Sequence, residues 1–157
     1  FKLLYVGRIR VEKGIYSLTN LKKNKRDISL TIVGAEKEIS YSLNQSNVKI
    51  LPAQNNKLKL IKNYDDHNIF ILPSFTEGYP MAILESLARL RPVIIFKEIE
   101  HIIGDKKGIF VANRDSKSLF EKIKYIESNY ENIQRDMKTN KLPLRENFLK
   151  QIEKSII

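Results

Sequence analysis

Cysteine is absent from the 157-residue sequence, and so is any long apolar run. The lack of cysteine excludes disulfides and thiolate metal sites, which fits a reducing cytoplasm. No stretch approaches the roughly 18 to 20 apolar residues needed to span a bilayer. The sequence also has no internal repeat and no low-complexity linker. With 42% hydrophobic residues, we expect a soluble, cytoplasmic protein built around one core.

Negative charge is in short supply. Lysine and arginine number 28 against 18 acidic residues, a formal net charge of +10, which favours phosphates, nucleic acid or an anionic membrane surface. The lysines cluster in KKNKR (22–26) and KLKLIK (57–62), without the aromatic residues or Arg/Gly repeats typical of nucleic-acid binding. We therefore expect a solvated lysine-rich surface and no nucleic-acid partner. Peripheral contact with the inner face of the membrane stays open as the alternative.

Short apolar runs alternate with longer amphipathic ones. IFIL (69–72) and VIIF (93–96) are apolar at every position and typical of strands covered on both faces. The alternation predicts an α/β fold with a doubly wound, parallel, Rossmann-like sheet of about six strands and helices on both faces. The runs are KLLYVG (2–7), GIYSLTNLKKN (14–24), ISLTIVG (28–34), KEISYSLNQ (37–45), VKILPA (48–53), LKLIKNY (58–64), NIFILPS (68–74), MAILESLARL (81–90), PVIIF (92–96), GIFV (108–111) and SLFEKIKYIES (118–128).

The two ends of the chain differ in character. Residues from about 130 to 157 are charged, helical in pattern and interrupted by Pro143, so we expect one domain over 1–157 with a helical C-terminal extension. The chain starts directly in a strand-like run, FKLLYVG, without methionine. We therefore expect it to be the C-terminal part of a longer polypeptide.

Distinctive residues follow the predicted strands. In doubly wound sheets, ligands bind at the carboxyl ends of the strands. The residues at these ends are Gly7-Arg8, Gly34, Pro52-Ala53 and the segment from Ser74 to Pro80. We expect them to form one crevice.

The segment FTEGYPMAILES (75–86) predicts the start of a helix. Pro80 fits the first helical position, and an apolar stripe follows at Met81, Leu84, Leu87 and Ala88. The backbone N–H groups of Gly78, Tyr79, Met81 and Ala82 would point outward and, with the helix dipole, bind an anion such as phosphate. Gly78 would let the ligand approach closely.

Two glutamates flank this helix start. Glu77 precedes it, and Glu85 lies along the side of the core residues, where a bare carboxylate is costly. A ligand with a central diphosphate and a sugar hydroxyl at each end, such as a nucleotide sugar, accounts for both carboxylates. As alternatives, Glu77 stabilises the helix dipole and Glu85 pairs with Arg89 four residues on.

Two basic residues, Arg8 and Lys13, follow the first predicted strand. Gly7 permits a tight turn. Arg8 would bring a planar guanidinium to the crevice, and Lys13 would bring a compact ammonium charge. Two fixed cations beside a diphosphate can replace a magnesium ion. The alternative is that both are ordinary solvated side chains. YDDHN (64–68) superficially offers metal ligands, but adjacent residues point in different directions, so we expect no metal site.

These motifs resemble a known family. The order GR…EKG (7–14), LTIVG (30–34) and ILPSFTEGYPMAILESLARLRPVI (71–94) is similar to the C-terminal domain of group 1, family four, retaining glycosyltransferases of the two-Rossmann-domain (GT-B) type. The resemblance covers roughly residues 1–128, and the pair Glu77 and Glu85 matches the family's glutamate motif.

The resemblance implies a function for each matching position. This half of the enzyme would bind a UDP-sugar or GDP-sugar donor without a metal or other cofactor, and a missing N-terminal domain would bind a glycan or lipid-linked acceptor. Arg8 and Lys13 would hold the diphosphate and stabilise the leaving nucleotide, Glu77 would contact the donor sugar, and Glu85 the ribose. The backbone from Gly78 to Ala82 would touch sugar and phosphate. Gly7 and Gly34 would also belong to the donor site, and residues 51–54 would border the base.

The implied activity is transfer of a hexosyl group with retention at the anomeric carbon, in the synthesis of a bacterial cell-surface glycan. The isolated domain is expected to be inactive. Several positions depart from the family's pattern: residues 96–111 lack its double glycine, and His101 stands where a glutamate is common. His101 is either a donor contact or simply exposed. The altered loop leaves a second hypothesis, a non-catalytic module that binds nucleotide sugars.

Overall fold

The computed structural model describes residues 1–22, 27–35, 43 and 45–143. Within these ranges, six strands alternate with five α-helices and with two short 3₁₀ helices given below. The strands are β1 Lys2–Val6, β2 Ser29–Ala35, β3 Val48–Pro52, β4 Ile69–Leu72, β5 Val93–Phe96 and β6 Ile109–Ala112. The helices are α1 Ile15–Lys22, α2 Lys57–Asp65, α3 Met81–Ala88, α4 Ser116–Ser128 and α5 Tyr130–Met137, and the 3₁₀ helices are Val11–Lys13 and Lys97–Ile102.

The strands form a single sheet in the order β3-β2-β1-β4-β5-β6, and every adjacent pair is parallel. This order confirms the predicted doubly wound, Rossmann-like sheet. The chain winds outward in one direction from β1 and in the other from β4, so the topological switch point lies between these two strands. Because crossovers between parallel strands are right-handed as a rule, winding in both directions from that point is expected to place helices on opposite faces of the sheet.

The core follows the sequence pattern. All four residues of β4 and all four of β5 are buried, as expected for strands covered on both faces. Side-chain caps fix where two helices begin. Asn56 accepts a hydrogen bond from the Lys59 amide at the start of α2, and Asp115 accepts one from the Ser118 amide at the start of α4.

Helix α5, Tyr130–Met137, lies in the segment where the helical extension is expected. Helix α5 packs on the amino-terminal end of the sheet, where the Tyr130 hydroxyl donates a 2.6 Å hydrogen bond to the carbonyl of Asn68. The rings of Phe1 and Tyr130 also meet edge to face. The rest of the predicted extension, beyond residue 143, lies outside the described residues, as does most of the helix predicted over 37–45. Within the described part, no helix is long and apolar enough to cross a bilayer.

Three details of the sequence prediction are wrong. Pro80 is the N-cap of α3, with extended backbone, and the helix starts one residue later. The buried face of α3 comprises Ile83, Ser86 and Leu87, whereas Met81 is 57% exposed and Ala88 is exposed. The buried residues follow the helical spacing i, i+3, i+4 from Ile83, and Met81 and Ala88 fall on the opposite side of the helix. Gly34 lies within β2 and Pro52 is the last residue of β3, so neither follows its strand.

Candidate functional site

The loops after β1 and β4 meet at the switch point of the sheet. The backbone amide of Phe75 donates a 2.9 Å hydrogen bond to the carbonyl of Glu12, which fastens one loop to the other. Gly14 makes this approach feasible: it has a φ of 67°, and a side-chain carbon there would overlap the carbonyl oxygen of Pro73. Neighbouring loops at this position form the usual ligand crevice of a doubly wound sheet.

Lys13 and Glu77 face each other across this junction. The Lys13 ammonium lies 2.7 Å from Glu77 Oε1, and the Ser74 hydroxyl donates a 2.6 Å hydrogen bond to the same oxygen. The Glu77 side chain is only 8% exposed, and that of Lys13 is 29% exposed. Glu77 precedes α3 by four residues, so its main interaction is with these two groups and not with the helix dipole.

Tyr5 supports the turn that carries Arg8. Its buried hydroxyl donates a 2.7 Å hydrogen bond to the carbonyl of Arg8. Burial raises the pKa of Tyr5 well above its usual range, and the negative charges of Glu77 and Glu12 add to the effect. Tyr5 therefore stays protonated as a donor. The Arg8 side chain is exposed, and no residue in the described ranges forms a hydrogen bond or ion pair with it.

Gly7 and Gly34, near the ends of β1 and β2, allow the two strands to approach each other closely. The Gly7 amide donates a 3.0 Å hydrogen bond to the carbonyl of Val33. A side-chain carbon at Gly34, where φ is 120°, would overlap the carbonyl of Gly7. Backbone contact between β1 and β2 thus requires Gly34, whether or not a ligand binds there.

Glu85 lies on α3 beside Tyr64 of α2. The Tyr64 hydroxyl donates a 2.7 Å hydrogen bond to Glu85 Oε2. Burial raises the pKa of Tyr64 far above its usual range, and the hydrogen bond and negative charge of Glu85 raise it further. Arg89, the alternative partner of Glu85, instead forms a two-pronged ion pair with Asp65, at 2.6 and 2.8 Å. The half-buried carboxylate is thus held by a neutral donor.

The start of α3 is open. The Ile83 amide bonds back to the carbonyl of Pro80, and no backbone partner is found within the described ranges for the amides of Met81 and Ala82. No atom lies within 4 Å of a carbon placed on Gly78. A cavity of about 220 Å³ adjoins this mouth. It is lined by Gly78, Tyr79, Pro80, Ile83, Leu84, His101, Ile102 and Lys106.

Two predicted groups lie apart from this mouth cavity. Lys13 and Glu77 meet at the switch point, and Glu85 faces Tyr64; neither group lines the cavity. His101 is exposed and lines the cavity, so the structure brings it to the predicted site.

The YDDHN segment is occupied by other interactions. The ring nitrogens of His67 lie 2.7 Å from Thr31 Oγ1 and 2.6 Å from the carbonyl of Asn63, so both are engaged. Asp65 binds Arg89. No cluster of three metal-ligating side chains is found among the residues that the structure describes.

Sequence reasoning missed three contributors: Tyr5, Tyr64 and Arg114. Each of the three carries a polar group into buried surroundings. The two tyrosines lie in or beside apolar runs, and the Arg114 side chain is only 15% exposed. The sequence could have indicated the tyrosines, because a tyrosine within an apolar, core-forming segment buries a hydroxyl that needs a hydrogen-bond partner. No local pattern could have identified Arg114, since its contacts come from distant loops.

Comparison with known proteins agrees with the fold. The model of the family described as glycosyl transferases group 1 matches residues 1–142. The capsular polysaccharide biosynthesis glycosyltransferase CapM of Staphylococcus aureus is 30% identical over an alignment of 137 residues, which covers 78% of this chain and 36% of CapM. The chain thus spans just over a third of that relative.

Two solved structures are similar in fold. The sucrose-phosphate synthase of Thermosynechococcus elongatus has a TM-score of 0.77 at 19% identity, covering 99% of this chain and 44% of that one. Anabaena Alr3699/HepE, solved in complex with UDP and glucose, has a TM-score of 0.69 at 16% identity, covering 87% of this chain and 41% of that one.

Proposed function

The chain belongs to the group 1 glycosyl transferases, and we propose that it is the half of such an enzyme that binds the nucleotide-sugar donor. The observation that carries the proposal is the Lys13–Glu77 pair, which joins the loops after β1 and β4 at the switch point of the sheet. A cation and a carboxylate held there suit a ligand that presents both a diphosphate and sugar hydroxyls.

The donor diphosphate binds between the start of α3 and the β1 loop. The amides of Met81 and Ala82 donate hydrogen bonds to its oxygens, and the positive end of the helix dipole attracts their negative charge. Lys13 and the exposed Arg8 supply positive charge. The Lys13 ammonium has three N–H donors and uses one on Glu77, so it can hold a phosphate oxygen as well. Gly7, Gly34 and Gly78 keep the backbone close to the ligand.

The two glutamates bind the hydroxyls on either side of the diphosphate. Glu77 accepts a hydrogen bond from the donor sugar, in company with Tyr79 and Pro80 at the mouth of α3. Glu85 accepts from the ribose. Tyr64 occupies one oxygen of Glu85, and the second oxygen has no partner among the described residues, so it remains able to accept.

The reaction transfers a glycosyl group to an acceptor hydroxyl with retention of anomeric configuration. The bond from the anomeric carbon to the diphosphate breaks through an oxocarbenium-like state, the new glycosidic bond forms on the same face, and the acceptor proton passes to the departing diphosphate. Arg8 and Lys13 stabilise the charge that develops on this leaving group. Loss of one such contact raises the barrier by about 2 to 4 kcal/mol.

The whole enzyme has a wider set of partners. A glycan or lipid-linked acceptor binds to a second half, so the isolated chain is inactive. The donor is a UDP- or GDP-hexose, no metal is needed, and the product belongs to a bacterial cell-surface polysaccharide, as the name of CapM indicates for that relative. The net charge of +10 suits a cytoplasmic protein held at the inner face of the membrane.

Thermal unfolding with and without nucleotide tests donor binding. We expect UDP or GDP to raise the melting temperature of the 157-residue chain, since a ligand that binds only the folded state stabilises it. Glu85→Ala should abolish the shift, and Glu131→Ala, which removes an exposed carboxylate on α5, should keep it. No shift with either nucleotide would contradict the proposal.

A non-catalytic nucleotide-sugar-binding module is the second candidate. The segment 96–111 favours it, because it lacks the double glycine of the family's pattern, and its Glu98 is engaged by Arg114. A donor panel assayed on the full-length protein separates the two: transfer or hydrolysis of any sugar excludes the module, and binding without turnover supports it.

A further inference from the structure

Arg114 lies in the short loop between β6 and α4, far along the chain from both halves of the Lys13–Glu77 pair. Its Nε donates a 2.7 Å hydrogen bond to Glu98 Oε1, and its Nη2 donates a 3.2 Å hydrogen bond to the carbonyl of Ser74. The guanidinium carbon lies 3.9 Å from the centre of the Phe75 ring and 4.4 Å from that of Phe96. One side chain thus touches the loops that follow β4, β5 and β6.

The third nitrogen of the Arg114 guanidinium, Nη1, lies near the loop that follows β1. Nη1 is buried and has no hydrogen-bond partner in the part of the chain that the structure describes. A side-chain carbon on Gly14 would lie 3.1 Å from this nitrogen, so Arg114 also packs against the loop after β1. Nη1 is therefore shielded from solvent, and the other two nitrogens donate to protein groups, Glu98 and the carbonyl of Ser74.

We propose that Arg114 is a positioning residue that sets the orientation of Glu77 and, through it, the affinity of the site for the sugar part of the donor. The chain of contacts is short. Arg114 fixes the carbonyl of Ser74, the Ser74 hydroxyl donates 2.6 Å to Glu77, and Glu77 lies 2.7 Å from Lys13.

The chemistry of the guanidinium suits this task. A planar, delocalised cation can stack on two aromatic rings while its edge donates in the same plane, which an ammonium cannot do. The Arg114 hydrogen bond is also the main reason that the pKa of Glu98 is lowered, so the pair is charged at neutral pH. This pair anchors the 97–102 loop, which lacks paired glycines, to the same guanidinium that holds Ser74.

The ligand-free protein gives the first test. The carboxyl ¹³C resonance of Glu77 would be assigned with Glu77→Gln and compared in Arg114→Lys and Arg114→Met. We expect both variants to move it. Arg89→Met is the matched control, because it breaks an exposed ion pair with Asp65 and should leave the resonance in place. If Arg114→Met fails to fold, Arg114→Lys and Glu98→Gln provide the comparison. An unchanged Glu77 resonance in a folded Arg114 variant overturns the proposal.

The second test rests on the proposed function, in that Glu77 faces the donor sugar. Titration calorimetry with UDP-glucose and UDP, and with GDP-mannose and GDP, compares wild type with Arg114→Lys. We expect sugar-nucleotide binding to weaken by about tenfold, the size of one lost charge-assisted hydrogen bond, while binding of the bare nucleotide is retained. Equal weakening of both overturns the specific role of Arg114. If wild type binds none of the four, the proposed function fails, and the Glu77 resonance still decides the role of Arg114.

Discussion

Lys13 and Glu77 are 64 positions apart in the sequence, yet their charged atoms lie 2.7 Å apart. The carboxylate is almost fully buried, so it depends on the ammonium and on Ser74 for its stability. A buried carboxylate deprived of its cation is costly. This dependence links the fold of two loops to the proposed site.

Lys13→Met should therefore lower the free energy of unfolding by about 1 to 3 kcal/mol. The double variant with Glu77→Gln should cost less than the sum of the single variants, because the second change removes the orphaned charge. Urea unfolding measures all three. Lys62→Met, which breaks an exposed pair with Asp66, is the control and should cost less than about 1 kcal/mol. Additive costs at Lys13 and Glu77 would show that the contact is energetically unimportant.

Gly78 and Gly14 should respond in opposite ways to alanine. Gly78 has open space around it, so Gly78→Ala should change stability by less than about 0.5 kcal/mol and yet weaken nucleotide binding. Gly14→Ala, at a φ of 67° against the carbonyl of Pro73, should destabilise by about 1 to 3 kcal/mol. Thermal unfolding and nucleotide titration of both variants check this. Unimpaired nucleotide binding by Gly78→Ala would mean that the ligand does not approach this residue.

The two buried tyrosines predict a loss of stability at alkaline pH. Folding raises the pKa of both Tyr5 and Tyr64, so above pH of about 10 the unfolded state releases protons that the folded state retains. Stability is therefore fully present below that pH and falls above it, by up to about 1.4 kcal/mol per pH unit for each tyrosine. The fall should be shallower in Tyr64→Phe, as measured by unfolding between pH 9 and 11. Tyr125→Phe, which removes an exposed hydroxyl, is the control. A slope in Tyr64→Phe equal to that of wild type would contradict the prediction.

His67 predicts a smaller loss at acidic pH. Burial lowers its pKa, and the hydrogen bond to the carbonyl of Asn63 opposes this only in part. Below pH of about 6.5 the unfolded state binds a proton that the folded state does not. Stability should fall as pH drops, by less than about 1 kcal/mol because the ring is partly exposed. Urea unfolding at pH 5 and 7.5 should show a reduced difference in His67→Gln. An identical pH dependence in His67→Gln would assign the loss to other groups.

Much of the fold could be predicted because it depends on the local spacing of apolar residues along the sequence. The uninterrupted apolar runs of β4 and β5 are typical of strands buried on both faces, and their alternation with amphipathic segments favoured a parallel sheet. The site could be predicted only as a set of positions at strand ends. The prediction put Gly78, Tyr79 and Pro80 at the mouth of α3, where they line a cavity.

The partners of the charged residues could not be predicted, since they depend on how distant loops pack. Spacing on the helix suggested that Arg89 would pair with Glu85, but Asp65 on α2 offers both carboxylate oxygens to the guanidinium and Tyr64 serves Glu85 instead. Arg114 is the clearest case. Nothing near it in the sequence indicates that Ser74, Phe75, Phe96 and Glu98 converge on its guanidinium.

The central claim is that the loops after β1 and β4 and the first turn of α3 together hold a nucleotide-sugar donor. A crystal of the 157-residue chain soaked with a mixture of UDP-sugars and GDP-sugars tests it most directly. We expect a diphosphate against the amides of Met81 and Ala82, within reach of Lys13 and Arg8, with hydroxyls on Glu77 and Glu85. A donor bound at any other surface, with these side chains untouched, would contradict it.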